Sequence, residues 1–172
     1  LNTRPRKSAK AYQKVWTEDG SPLMSISKEQ TAAIGESLKT TYGDEVVVDL
    51  AMRYGSPSIG SVLKSMQERG VRELLVVPMY PQYSATTTAS IFDEVTDQLK
   101  KWRWLPELRF INHYHDNPDY IEALAHSVKS WRAEHGGADK LLMSFHGVPE
   151  EYFHKGDPYH CECHKTGRLL AE

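Results

Sequence analysis

The clearest chemical group in the chain is His146, which ends the apolar run KLLMSF and is followed at once by Gly147 and Pro149. Burial at the end of an apolar strand disfavours charge on an imidazole. A neutral imidazole can accept a proton or bind a metal ion, and Gly147 lets a ligand or a backbone come close. The competing reading is a strand-end histidine bonded to a neighbouring carbonyl. Three other segments carry candidate groups: Arg53-Tyr54-Gly55-Ser56-Pro57, Tyr80-Pro81-Gln82-Tyr83-Ser84 and Asn112-His113-Tyr114-His115. Rings stack on flat faces and a guanidinium pairs with carboxylates. Together these groups suit a large, flat, apolar ligand with a few anionic substituents, although Tyr80 and Tyr83 also read as loop aromatics packed under helices.

Residues 160–164, HCECH, offer four soft or borderline ligands in five positions. Structural zinc sites space paired cysteines by about two to four residues and need further ligands, and Cys161 and Cys163 are the only cysteines in the chain. The stretch opens a predicted helix, where adjacent side chains diverge, so a plain helix start with surface thiols competes with a metal site. His113 and His115 read as solvated linker residues, and His126 and His135 as structural or exposed.

The elements that must position these groups alternate. A helix is expected over 5–16 and a turn at Asp19-Gly20-Ser21-Pro22. Ser27 with Gln30 forms a capping box for a helix reaching about Tyr42. EVVVDLAM follows as a buried strand. Pro57 opens a helix to about Arg69, then come the strand RELLVVPM, a helix over 86–102 and the strand ELRFIN. A helix from Pro118 to His135 precedes KLLMSF, the fourth strand. Four strands alternating with helices predict an α/β fold, with Rossmann-like parallel sheets flanked by helices. The stretch 113–119 is the expected linker between two α/β units. In such sheets ligands bind beyond the carboxyl ends of the strands, where all four segments above lie. No G-x-G-x-x-G, P-loop or G-x-S-x-G motif occurs.

The composition is that of a globular protein, 40% hydrophobic and 26% charged with a formal net charge of −2 over 172 residues. No basic excess points to nucleic acid. No apolar run reaches the ~20 residues of a spanning helix, and LNTRPRKSAK lacks the apolar segment of a signal peptide. One residue between the cysteines is too short for an easy disulfide, so a cytoplasmic setting is expected. The chain lacks an initiator Met and ends within an apparent helix, GRLLAE, and reads as a piece of something longer.

Three blocks give a resemblance to a known family. DGSPL at 19–23, VVPMYPQYSATTTAS at 76–90, and SFHGVP at 144–149 with GDPY at 156–159 resemble ferrochelatases, which insert ferrous iron into protoporphyrin IX at the end of haem synthesis. The resemblance implies a chelatase-like fold of two α/β domains around a porphyrin cleft. Residues 1–115 would form the first domain, without its N-terminal strand, and 116–172 the start of the second. It implies that His146 is the catalytic histidine, taking a pyrrole proton or holding iron. Arg53, Tyr54 and Tyr80 would be cleft residues, and Ser21 part of a pocket-lining loop. Tyr114 stands where many members carry tryptophan.

The family's essential glutamate would lie beyond this chain, so no glutamate here takes that role and the fragment alone is expected to be inactive. No resident cofactor is required, since ferrous iron is a substrate. Some members hold a [2Fe–2S] cluster. Ala85 replaces a ligand of the animal type, which leaves a different arrangement through Cys161 and Cys163. Partners would be protoporphyrin and ferrous iron, with peripheral membrane contact and an unspecified oligomeric state. A half-size chelatase of the sirohydrochlorin type and a non-catalytic porphyrin-binding module are the alternatives.

Overall fold

A computed structural model describes residue 9, residues 13–18 and residues 20–172. The helix expected over 5–16 falls largely outside the described residues, as does Asp19. The chain forms two compact units, Leu1–Val62 and Leu63–Glu172.

In the first unit, Ser21 has extended backbone and its Oγ accepts a hydrogen bond from the Met24 amide at 3.3 Å. Pro22 follows at the position where a missing N–H costs nothing, so helix α1 runs Pro22–Tyr42. The helix therefore starts at Pro22 and not after Ser27, whose carbonyl instead accepts the Thr31 hydroxyl at 2.7 Å within the helix. The Ser-Pro pair outcompetes the capping box because it supplies both an acceptor and a preset φ. Gly43 ends α1 at φ 66°, and Gly43–Glu45 form a 3-10 turn.

The run that follows departs from expectation. Residues 46–50 belong to no ladder, and only Met52 forms a parallel bridge, with Ser58. Gly35 faces Val48, whose Cβ lies 3.8 Å from where a side chain on Gly35 would begin. The β-branched run therefore packs along α1 without joining a sheet.

Helix α2, Ile59–Glu68, leads into the second unit, and Gly70 closes it at φ 78°. Strand β1, Glu73–Val76, then pairs in parallel with β2, Glu107–Phe110, from Glu73 opposite Glu107 to Val76 opposite Phe110. Between them a π-helical turn, Ala85–Ala89, runs into α3, Ser90–Leu99. Parallel pairing requires such a crossover. α3 buries Val95 and Leu99, and its Phe92 meets Phe110 of β2 edge to face at 5.3 Å.

Helix α4 is Pro118–His135, capped by Asn117, whose Oδ1 accepts from the amides of Asp119 and Tyr120 at 2.9 and 3.3 Å. The short α5, Glu150–His154, and α6, Tyr159–Ala171, complete the chain, and α6 packs on α4. A small parallel sheet flanked by helices gives the expected fold class.

KLLMSF, expected as the fourth strand, also joins no ladder. Its side chains are open, Leu142 at 92%. An apolar run specifies burial, but a strand also needs a neighbour with free backbone groups, and the described residues offer none here. No described helix is long and apolar enough to cross a membrane.

Candidate functional site

Within the second unit, α6 gathers the loops that follow the two strands. Its entry is set by Asp157, whose Oδ1 accepts the Tyr159 amide at 3.0 Å. The other oxygen of Asp157 accepts the Ser84 hydroxyl at 2.9 Å and the Ala85 amide at 2.8 Å. One turn on, Glu162 Oε2 accepts the Tyr83 amide at 2.7 Å. One further turn on, the buried Thr166 hydroxyl lies 2.8 Å from the His115 carbonyl and 3.0 Å from Gln82 Nε2. Residues four apart share a helix face, so Glu162 and Thr166 both meet the Gln82–Ala85 loop. The PQYSA and GDPY blocks are thus held together by hydrogen bonds.

His146 is exposed, which corrects the expectation of a desolvated imidazole on a buried strand end: the run before it is unpaired and open. It lies at a groove of about 610 Å³ that Phe145, Tyr159, Cys163 and Arg168 also line. The groove exists because residues 143–145 run along α6 at Gly167. A side chain there would start 3.9 Å from Met143 and 4.0 Å from Phe145. Nothing lies within 4 Å of the space that a side chain on Gly147 would take, so the backbone beside His146 is open to an approaching group.

Burial pushes the Tyr159 phenol above the usual tyrosine range, helped by its hydrogen bond to Cys163 and opposed by the His146 backbone amide. The Cys163 thiol is likewise raised, chiefly by burial. Both groups are therefore neutral walls.

Tyr80, on the loop after β1, is 46% exposed and is not among the groove residues. Arg53, Tyr54 and Ser21 belong to the first unit. There the Arg53 guanidinium sits 4.9 Å from the Tyr54 ring centre, a cation–π contact with Tyr54 itself 77% exposed. The Ser21 hydroxyl is engaged as the cap of α1.

In the HCECH stretch, Cys161 is exposed and Cys163 is buried. Two residues on a helix turn the side chain by about 200°, so the two thiols leave α6 on different sides. The residue that matters is the one between them: Glu162 is 6% exposed and reaches His113 Nδ1 at 2.6 Å and His115 Nδ1 at 3.4 Å. His115, expected to be solvated, is itself 6% exposed. Sequence reasoning missed this trio. The available signal was H-x-H after a strand, which puts both imidazoles on one side. Its carboxylate partner lies 49 residues beyond His113.

Burial also pushes the Tyr114 phenol up to about 12, and its ring meets Tyr120 edge to face at 5.5 Å.

The whole chain, residues 1–172, matches the ferrochelatase family. It is 59% identical over 172 residues to a ferrochelatase of Marinobacter nauticus, covering all of this chain and 46% of that protein. It is 57% identical to one of Pseudoalteromonas atlantica and 58% identical to one of Idiomarina loihiensis. These matches cover all of this chain and 48% and 47% of those proteins. The chain thus spans about half the length of the curated relatives it matches. A match over every residue, together with the joined PQYSA and GDPY blocks, leads to one conclusion: the chain belongs to the ferrochelatase family.

Proposed function

We propose that this chain is part of an enzyme that inserts ferrous iron into protoporphyrin IX, with His146 acting at the centre of the macrocycle. The observation that carries the reading is the placement of His146: an open imidazole at a groove walled by Phe145 and Tyr159, in the block that resembles the family's histidine motif.

Insertion requires that two pyrrole protons leave and that the ring pucker so its nitrogen lone pairs tilt toward the metal. A cleft that binds the puckered ring better than the flat one lowers the barrier by differential binding. An imidazole within reach of the ring centre takes a proton from a pyrrole N–H, or contacts the incoming ion. Apolar walls suit the macrocycle, and neutral walls such as Tyr159 and Cys163 add no charge competing with the ferrous ion. In this reading Arg53 pairs with a propionate while Tyr54 and Tyr80 pack on the ring. Ser21 acts through the start of α1, which it caps, since its hydroxyl is already engaged.

The two-domain division at residues 115 and 116, a cytoplasmic setting and peripheral membrane contact belong to the same proposal; cell fractionation tests the last two. Ferrous iron enters as a substrate. The divergence of Cys161 and Cys163 argues against a [2Fe–2S] cluster through this pair.

The test uses the full-length protein. His146→Ala should lower iron insertion by about 10²–10⁴-fold, the usual contribution of a positioned acid–base group, while the porphyrin dissociation constant stays within about twofold. Wild-type turnover by a folded variant removes His146 from the mechanism. A spectral change on metal addition with sirohydrochlorin but not protoporphyrin indicates an earlier tetrapyrrole as substrate. Porphyrin binding without turnover by the wild type indicates a carrier.

A further inference from the structure

We propose that His113, His115 and Glu162 bind one divalent first-row transition ion of the zinc or ferrous class, at a site separate from His146. The proposal goes beyond iron insertion and does not depend on it.

One ligand atom from each of the three residues lies within 4.8 Å of the others. They come from two places: the extended segment after β2, and the first turn of α6. In extended backbone, alternate side chains share a side, so His113 and His115 face Glu162 together, their ring centres 5.1 Å apart. Metal–nitrogen and metal–oxygen bonds of ~2.1 Å place neighbouring ligand atoms ~3–3.4 Å apart. The separations found here are close to that range: Glu162 Oε1 lies 2.6 Å from His113 Nδ1, and its Oε2 lies 3.4 Å from His115 Nδ1. Small side-chain adjustments would make room for an ion.

A second observation points the same way. His115 Nδ1 is buried and has no hydrogen-bond partner, although it is aimed at the Glu162 carboxylate. A proton shared by His113 and Glu162 accounts for the 2.6 Å contact but leaves this nitrogen unused. Burying a polar atom without a partner is costly, and a cation between the imidazoles and the carboxylate would satisfy all three groups.

Polar groups stand around the three residues, as they do around metal ligands. The Tyr83 amide donates to Glu162 Oε2, the oxygen that faces His115, and so fixes the carboxylate. Nε2 of His115 faces the Asp116 carboxylate at 3.9 Å, and Lys165 holds that carboxylate in turn at 2.5 Å. The lysine contact is the first cause of a lowered Asp116 pKa. Two imidazoles and one carboxylate leave at least one coordination position free. The side chain of His113 is 52% exposed, which gives an entry route. An ion here would clasp α6 to the loop after β2.

The experiment takes the full-length protein in a His146→Ala background, stripped with a chelator and free of porphyrin. This removes the ion contact proposed for turnover, so the two ideas fail separately. Co²⁺ and Zn²⁺ are titrated by calorimetry and visible absorption. We expect a site for one ion whose affinity falls at least ~10-fold in His113→Ala and in Glu162→Gln and is unchanged in Cys161→Ser. The cobalt spectrum should show no thiolate charge-transfer band. Because His113 is exposed, its variant keeps the test valid even where Glu162→Gln fails to fold. Titrations of His113→Ala that superimpose on the parent, absence of binding, or a charge-transfer band lost in Cys161→Ser would each overturn the proposal.

Discussion

Cys161 and Cys163 are two positions apart in sequence and occupy opposite environments, one exposed and one buried at 7%. Only the thiolate reacts with alkylating reagents. Burial raises the Cys163 pKa, so at any pH near neutrality it has less thiolate as well as less access. At about pH 8, iodoacetamide should label Cys161 at least ~10-fold faster than Cys163, read by mass spectrometry of timed samples; equal rates would contradict the buried placement. The linkage has a definite sign. A raised pKa favours the protonated thiol in the fold, so this contribution is complete below the ordinary thiol value of 9.0 and is lost as pH rises through the folded value. The sequence made both cysteines visible as potential ligands but could not separate them, because exposure is set by what lies across the helix. Glu162 was hidden for a similar reason, since nothing within a few residues of it hints at histidines 49 and 47 positions upstream.

At the scale of elements, local chemistry was legible. RELLVVPM and ELRFIN contain β1 and β2, and the stop at Gly70 and the start at Pro118 both hold. EVVVDLAM and KLLMSF read as strands on composition alone, yet among the described residues neither joins a sheet and only Met52 pairs, in a lone bridge with Ser58, since pairing depends on backbone groups far away in the chain. The chain covers about half of its relatives, and the open run at 141–145 should gain partners in the longer protein. Hydrogen exchange at the Leu142 and Met143 amides should therefore be slow in the full-length protein and fast in the 172-residue chain; fast exchange in both would leave the run unpaired. The lock made by Asp157 was invisible in sequence, where GDPY counted only as a motif. Asp157→Ala removes acceptors from the Ser84 hydroxyl and from the Ala85 and Tyr159 amides. It should cost about 1–3 kcal/mol, measured as a lower urea midpoint; an unchanged midpoint would show that the lock is not stabilising.

At the scale of the whole molecule, we propose that the chemistry draws on residues of the longer protein. The resemblance places the acidic partner of His146 beyond residue 172. The 172-residue chain should therefore give no iron insertion above the uncatalysed background under conditions where the full-length protein turns over, followed by loss of porphyrin fluorescence. Insertion by the short chain would mean that these residues suffice. Family membership was legible because three separated blocks keep their order. The stretch 113–119 looks like a linker by composition, yet His115 is buried and its carbonyl is held by Thr166. Polar residues that bond to a helix read like polar residues that face water.

The face of α6 has a mechanical consequence. Tyr159 and Cys163 form part of the wall beside His146, while Glu162 and Thr166 grip the loop after β1. The helix therefore works like a camshaft: any rotation about its axis must widen or narrow the groove and drag that distant loop in phase, so neither can breathe without the other.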